Sequence, residues 1–129
     1  MINFKHGRDV MLFSKLNPIL IMIFSDLWNY AYETHNIHLT VTETISTYEE
    51  DMSLGRVSDS HRTKRAIDIR TKDLPSPIVQ DLIEYINSHD SYEKYRYVSR
   101  SGVKRLAYWH DSGNGEHLHL AIHSKFAIK

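Results

Sequence analysis

Apolar residues recur at three- and four-residue spacing in the segment that follows Asn17-Pro18. The recurring positions are Leu20, Ile23, Leu27 and Tyr30. This spacing places them on one face of an α-helix, which we predict over about residues 18–35. Asparagine followed by proline is typical of an N-cap and the first helical position, and Asn36 fits the end of the helix. The apolar face is expected to pack into the core.

Two strand-like stretches flank a long polar segment. From Ile37 to Thr44 apolar residues alternate with polar ones, as in a strand with one buried face. Arg65 to Arg70 is a short second strand. Residues 45–60 between them are polar and without a period, with Gly55 in the middle. We therefore expect a long loop, and long ordered loops in compact domains are often functional.

A second helix is predicted after the proline-rich segment Leu74-Pro75-Ser76-Pro77. Ser76 can cap this helix and Pro77 can start it, and the helix should end near His89. Its apolar face is made of Ile78, Val79, Leu82, Ile83 and Ile86.

The rest of the chain predicts three strands. Tyr95 to Ser99 and Val103 to His110 are joined by a short segment that contains glycine, which is typical of a hairpin. A second turn at residues 111–115 leads to the last strand, Glu116 to Ile122. The element order favours one α+β domain over residues 1–129, with an antiparallel sheet covered by helices on one face.

Composition narrows the choice of partners and metal ligands. Lys and Arg together number 16, as do Asp and Glu, so the net charge is near zero and nucleic acid is not expected as the main partner. The chain has nine histidines and no cysteine. Any metal site must therefore be built from His, Asp and Glu.

No stretch of the sequence is long enough to span a membrane. The most apolar run, residues 19–24, is far shorter than the roughly 20 residues required. Basic residues precede this run, as in a signal peptide, but Asp26, Trp28 and Asn29 follow it where a small-residue cleavage site would be needed. We therefore expect synthesis in the cytoplasm without a clear signal peptide, and no membrane insertion.

An aspartate in an apolar run is the main candidate for chemistry. Asp68 lies within Ala66-Ile67-Asp68-Ile69, and a carboxylate is costly to bury unless it is paired or binds an ion. It could pair with Arg65 or Arg70 in a structural salt bridge. The alternative is a zinc site in which His61, at the end of the polar loop, and His119, in the last strand, supply two further ligands.

A catalytic zinc site also needs a general base that contacts the attacking water without binding the metal, and Glu116 is the candidate. If the last strand were regular, however, Glu116 would point away from His119, whereas His117 would share its face. The nearby glycines at 113 and 115 would allow an irregular start that turns Glu116 toward the metal. We predict Glu116 as the base and His117 as a group that supports the ligands or stabilises the transition state. If the strand is regular, His117 is the better-placed of the two.

Two motifs resemble those of the zinc D-Ala-D-Ala peptidases and the phage L-alanyl-D-glutamate endolysins, whose superfamily includes the Hedgehog signalling domains. Their first motif is Ser-x-His-x(2)-Gly-x-Ala-x-Asp followed by an apolar residue. It is matched in register by His61, Ala66, Asp68 and Ile69. Lys64 replaces the usual glycine and Asp59 the usual serine. The second motif, an acid three residues before a histidine, is matched by Glu116 and His119.

The resemblance covers roughly residues 37–122 and implies a Hedgehog/DD-peptidase-like fold in a zinc peptidase-like domain. It implies zinc on His61, Asp68 and His119, Glu116 as the catalytic base, and a peptidoglycan stem peptide as substrate. We expect a monomeric enzyme of the endolysin or carboxypeptidase type that acts on the bacterial cell wall, with a phage origin favoured by the resemblance.

One departure from the family concerns substrate binding. The family usually has an arginine shortly after the strand that precedes the loop, and here the stretch Thr42 to Thr47 contains none. Arg56 or Arg70 is predicted to take its place. The missing arginine and Lys64 also leave a second possibility, a zinc-binding module of the same fold that is inactive as a peptidase.

Overall fold

The computed structural model describes residues 2–111 and 115–127, apart from the side chain of Asp111. Its α-helices are α1 Gly7–Phe13, α2 Pro18–His35, α3 Tyr48–Ser53 and α4 Ser76–Asn87. Its strands are β1 Asn3–Phe4, β2 Thr40–Glu43, β3 Ala66–Arg70, β4 Tyr97–Val98, β5 Lys104–Arg105, β6 Ala107–Asp111 and β7 Glu116–Ala121. Short 3-10 helices span Asp90–Tyr95 and Ser124–Phe126. The fold is α+β, as predicted.

Five strands form one sheet in the order β1-β2-β3-β7-β6. β2, β3, β7 and β6 pair antiparallel, but β1 pairs parallel with β2. The sheet is therefore mixed, which corrects the prediction of a purely antiparallel sheet. A two-residue strand carries too little pattern to be recognised. Its pairing also depends on a partner 37 positions away in the sequence, since Asn3 lies opposite Thr40.

The core lies between one face of this sheet and the two long helices. Alternate residues of β3 and β7 supply Ile67, Ile69, Leu118 and Leu120, all at most 1% exposed. They share one cluster with the apolar face of α2 and with Leu82 and Ile86 of α4. The helices therefore cover one face, as expected, and leave the other face for the polar residues of the central strands.

Helix α2 has the predicted bounds for the predicted reasons. The Asn17 side chain accepts a hydrogen bond from the backbone N–H of Ile19, and Asn36 ends the helix in the left-handed conformation. Helix α4 begins one residue earlier than predicted. Its N-cap is Pro75, so Ser76 is the first helical residue and not the cap.

Two further predictions need correction. The loop predicted over residues 45–60 contains α3, which begins with a capping box between Thr47 and Glu50. The predicted hairpin pairs only through β4 and β5, which form a separate two-stranded sheet, while β6 joins the main sheet. The turn predicted at 111–115 falls largely outside the described residues.

Within the described part of the chain, no single helix is both long enough and apolar enough to cross a membrane. Among the described helices, α1 and α2 pass this test when taken together, but they are bent by 117° where they join.

Candidate metal centre

Three candidate ligands meet on the sheet face opposite the core. Asp68 in the middle of β3 lies directly across from His119 in β7. Because side chains alternate along a strand, both point away from the face occupied by Ile67 and Leu118. His61 comes from the turn before β3. All three side chains are buried, with His61 4%, Asp68 5% and His119 9% exposed.

The distances within this cluster suit a metal ion. The Asp68 carboxylate lies 2.8 Å from His119 Nδ1 and 3.2 Å from His61 Nε2. One ligand atom from each residue falls within 4.8 Å of the other two. Ligand atoms on a tetrahedral zinc are about 3.3 Å apart, given bond lengths of about 2.0–2.1 Å. The three residues could therefore hold a metal ion.

The orientation of the His61 ring is set by the backbone. Its Nδ1–H donates to the carbonyl oxygen of Thr44 at 2.6 Å, which leaves Nε2 facing Asp68. A histidine ligand usually donates its second ring nitrogen in this way, which determines the tautomer. This contact supports His61 as a ligand better than its position in the sequence does.

A bulge in β2 brings a second acid, Glu43, toward the cluster. Val41 pairs with Ile69 but Glu43 pairs with Asp68, so one residue of β2 is inserted between the two pairs. Without it, Glu43 would point to the core face. Glu43 Oε2 instead lies 3.3 Å from His61 Nδ1, whereas Asp68 contacts the other ring nitrogen, Nε2. Glu43 thus supports the orientation and charge of His61.

The electrostatics of the cluster keep the carboxylate ionised. Burial alone would raise the pKa of Asp68, but the charge on His61 and hydrogen bonds from His119 and His61 hold it well below its usual range. Burial would lower the pKa of His61, yet Asp68 and Glu43 outweigh it and raise that pKa to about 9. For His119, burial dominates and lowers the pKa. A buried carboxylate beside imidazoles is an arrangement that a divalent cation would stabilise.

His117 also faces the cluster. Its Nε2 lies 3.5 Å from Asp68 Oδ2, and its side chain is one of those that line a pocket of about 150 Å³ above the three ligands. Tyr108 and His110 of β6 line the same pocket, because they lie opposite His119 and His117 in the sheet. The pocket gives a small molecule access to the buried cluster.

The structure does not bring Glu116 to the cluster. β7 keeps an unbroken register with β3 and β6, with Glu116 opposite Asp111 and His117 opposite His110. Glu116 therefore lies on the sheet face opposite His117, is exposed, and is not among the residues that line the pocket. Its predicted role as base stays a prediction, and the geometry favours the alternative, His117.

Neither predicted substrate-binding arginine is free. Arg56 lines the pocket, but its guanidinium contacts Glu43 at 2.7 Å and Asp51 at 3.1 Å. Arg70 pairs with Asp73 at 3.1 Å and does not line the pocket. Two carboxylates neutralise Arg56, so its role in substrate binding is not favoured by the geometry. The sequence could not show this, because Glu43 and Asp51 look like ordinary surface acids.

Tyr108 and His110 were not among the site residues predicted from the sequence. A usable signal was present, because Tyr108 and His110 alternate within a strand, as do His117 and His119 in its neighbour. Pairing two such strands in the right register places all four side chains on one face. The register itself is set by the tertiary structure.

Lys64 lies in the turn that carries His61 and has a left-handed backbone conformation. Its φ is +65°, and its backbone N–H donates to the carbonyl of His61 at 3.1 Å. Glycine adopts this conformation without a steric cost, whereas a side chain branched at Cβ is strongly disfavoured there. Lys64 therefore occupies a backbone position that suits glycine better than a residue with a side chain.

We expect Lys64→Val to lower the free energy of unfolding by about 1–3 kcal/mol, because it forces a β-branched residue into the left-handed region. Lys64→Gly should stay within about 1 kcal/mol of the parent, since the strain it relieves offsets the added freedom of the unfolded chain. Urea unfolding of both variants measures the difference. Equal stability of the valine and glycine variants would contradict the conformation of this turn.

The chain was compared with protein-family models, with curated proteins and with solved structures, and none of the three comparisons found a match. Family membership is therefore not shown, and the resemblance rests on the two motifs. What the structure adds is that residues 61, 68 and 119, separated in sequence, form one buried group of two imidazoles and a carboxylate that could hold a metal ion.

Proposed function

We propose that this protein is a zinc-dependent peptidase that hydrolyses an amide bond in the peptide stem of bacterial peptidoglycan. The observation that supports the proposal best is the group of His61, Asp68 and His119, buried at the base of a pocket that other polar side chains line. Three protein ligands with space beside them are typical of catalytic zinc sites, whereas structural sites are closed by four.

In this proposal the two imidazoles and the carboxylate hold the metal. A bound zinc would act as a Lewis acid that polarises the scissile carbonyl and makes an attacking water more acidic. Thr44 orients His61 through its carbonyl oxygen, and Glu43 lies beside the same ring nitrogen. These contacts pre-organise the ligands and limit the rearrangement needed for binding.

His117 is the residue proposed to accept a proton from the attacking water. It lies on the same face as the ligands, and its side chain borders the pocket where a scissile bond would sit. A general base must lie within hydrogen-bond reach of the proton it takes, or one water away. His117 meets this requirement better than Glu116, which lies on the other face of the sheet.

The proposed substrate class comes from the motif resemblance, and one observation adds weight to it. The left-handed φ of Lys64 falls at the motif position where the family has glycine, so the turn has the conformation that the motif implies. We propose action on the cell wall by an enzyme of the endolysin or carboxypeptidase type, working as a monomer.

The test is hydrolysis of purified cell walls by the zinc-loaded protein. We expect wall fragments with newly exposed amino groups, loss of this activity after chelation, and its recovery when zinc is restored. Asp68→Asn, handled in parallel, controls for contaminating hydrolases and should be inactive. Release of amino groups that is equal in the parent and in Asp68→Asn would contradict the proposal.

A second candidate is a zinc-binding module of this fold without peptidase activity. The ion pairs of Arg56 with Glu43 and Asp51 favour this second candidate, because they neutralise the charge with which Arg56 would bind a substrate. Under this alternative the parent retains zinc and binds cell walls or their fragments, yet releases no amino groups. The same assay therefore separates the two candidates.

A further inference from the structure

A groove larger than the metal pocket lies beside it. Its volume is about 680 Å³, which is within the range of about 300–1,000 Å³ for small-molecule sites. The loop near Ser58, the β4–β5 hairpin and the end of β7 form its walls. Ser60, Tyr108 and His119 border both the groove and the metal pocket. A ligand extended along the groove would therefore reach the candidate metal centre.

The groove is positively charged. Arg65, Arg100 and Arg105 line it, and no Asp or Glu is among its described lining residues. The net charge of the whole chain is zero, so this imbalance is local. A concave surface with one sign of charge attracts ligands of the opposite sign.

Arg65 has a structural explanation. Its guanidinium pairs with Asp59 at 2.9 Å and donates to the carbonyl oxygen of Ile122 at 3.1 Å. These contacts tie the turn that carries His61 to the end of β7. Arg65 therefore has little capacity left to bind a ligand.

Arg105 is different, because it is held in place without being neutralised. Its guanidinium carbon lies 4.2 Å from the ring centre of Tyr108, and its Nε–H donates to the Tyr97 hydroxyl at 3.3 Å. Tyr97 is its direct partner across the β4–β5 pair. No described carboxylate lies within ion-pair distance of it. Two aromatic side chains thus orient a guanidinium whose charge is available.

We propose that Arg105 binds a carboxylate of the stem peptide and so sets the position of the substrate in the groove. The inference rests on the proposed function. An arginine can present two parallel N–H donors to a carboxylate, and stacking on a ring costs it none of these donors. Tyr108 contacts Arg105 in the groove and also lines the metal pocket, so a carboxylate bound by Arg105 would lie near that pocket.

Arg105 could bind either of two kinds of carboxylate in a stem peptide. One is a free C-terminus, and the other is the side-chain carboxylate of a glutamate residue. The test uses one probe for each, N-acetyl-D-alanyl-D-alanine for the C-terminus and N-acetyl-L-alanyl-D-isoglutamine, whose α-carboxyl group is already an amide, for the glutamate side chain, with the fully amidated peptides as uncharged counterparts. Binding is followed by titration of the ¹⁵N-labelled protein in NMR spectra, both zinc-loaded and after chelation. The chelated arm separates a carboxylate held by Arg105 from one held by the metal.

At least one acid probe should bind the parent more tightly than its amide, and the preferred probe identifies the source of the carboxylate. Arg105→Gln should weaken that binding roughly 10- to 100-fold, the range for a charge-assisted contact. Arg105→Lys keeps the charge but cannot present two parallel N–H donors. Its affinity for the acid probe should therefore lie between those of the parent and Arg105→Gln. Lys104→Gln is the matched control, because Lys104 lies on the same hairpin, carries the same charge and does not line the groove.

Equal affinity of the parent and Arg105→Gln for both acids overturns the inference, as does equal affinity of the parent for acids and amides or the absence of binding to all probes. The proposed function is judged separately by hydrolysis of cell walls. If the parent cleaves walls but binds acids and amides equally, the proposed function stands and the inference about Arg105 is wrong. If the parent binds acids through Arg105 but cleaves no wall, the inference about Arg105 stands and the proposed function is wrong.

Discussion

Asp68→Asn should lose more than about 100-fold in zinc affinity, beyond the 10- to 100-fold range for residues that only orient ligands. Asparagine has nearly the same shape but no charge, and its amide oxygen is a weak zinc ligand. Asp68 is also the residue that both His61 and His119 contact, at 3.2 and 2.8 Å. Elemental analysis should find one zinc per chain in the parent, and competition with a chromophoric chelator measures the affinities.

Asp73→Asn is the matched control for this experiment. Asp73 follows β3 closely, has a side chain that is 70% exposed, and pairs only with Arg70 among the described residues. Removing its charge should leave zinc affinity unchanged, because an exposed charge outside the cluster is screened by solvent. His119→Gln provides a second test of the ligand set. Full zinc retention in both Asp68→Asn and His119→Gln would exclude the proposed metal centre.

His117→Gln should lower turnover on cell walls by at least about 100-fold, the lower end of the range for general acid–base catalysis. Glutamine keeps a polar group in the pocket but cannot accept a proton at neutral pH. Because His117 is not one of the three proposed ligands, zinc content and melting temperature should stay close to those of the parent. Initial rates of amino-group release, with zinc measured on the same samples, separate loss of catalysis from loss of metal.

Glu116→Gln is both the control and the rival hypothesis. The sequence motif predicts Glu116 as the base, whereas the strand register places it on the opposite face from His117. We expect Glu116→Gln to retain most of the activity. An inactive Glu116→Gln beside an active His117→Gln would show that the motif, and not the register, identifies the base. Full activity in both variants would contradict the peptidase mechanism.

The sequence predicts well those features that depend on neighbouring residues. The bounds of α2 follow from the Asn17-Pro18 start, the three- and four-residue spacing and Asn36, all of which act within a few turns of helix. The β3 strand and the burial of Asp68 follow from a short apolar run around one carboxylate. The cost of burying a charge is a property of the residue itself, so the sequence alone could indicate a ligand at this position.

The candidate ligands could also be selected before the structure was known, but for a different reason. His61, Asp68 and His119 were chosen because their residue types suit zinc and their spacing resembles known motifs. Their closeness in space was not deducible from pattern, since Asp68 and His119 are 51 positions apart. The pairing of β3 with β7 brings them together, and that register depends on which apolar residues the two strands bury jointly.

What the sequence by itself determined is therefore the α+β composition, the two long helices and a plausible ligand set, because periodicity, capping and charge burial act locally. Only the tertiary structure decided which face each strand residue occupies. The bulge in β2 turned Glu43 toward His61, and ion pairs neutralised Arg56. The unbroken register of β7 separated Glu116 from His117. Arg105 gained its position from Tyr97 and Tyr108, contacts that form only when the hairpin packs beside the sheet.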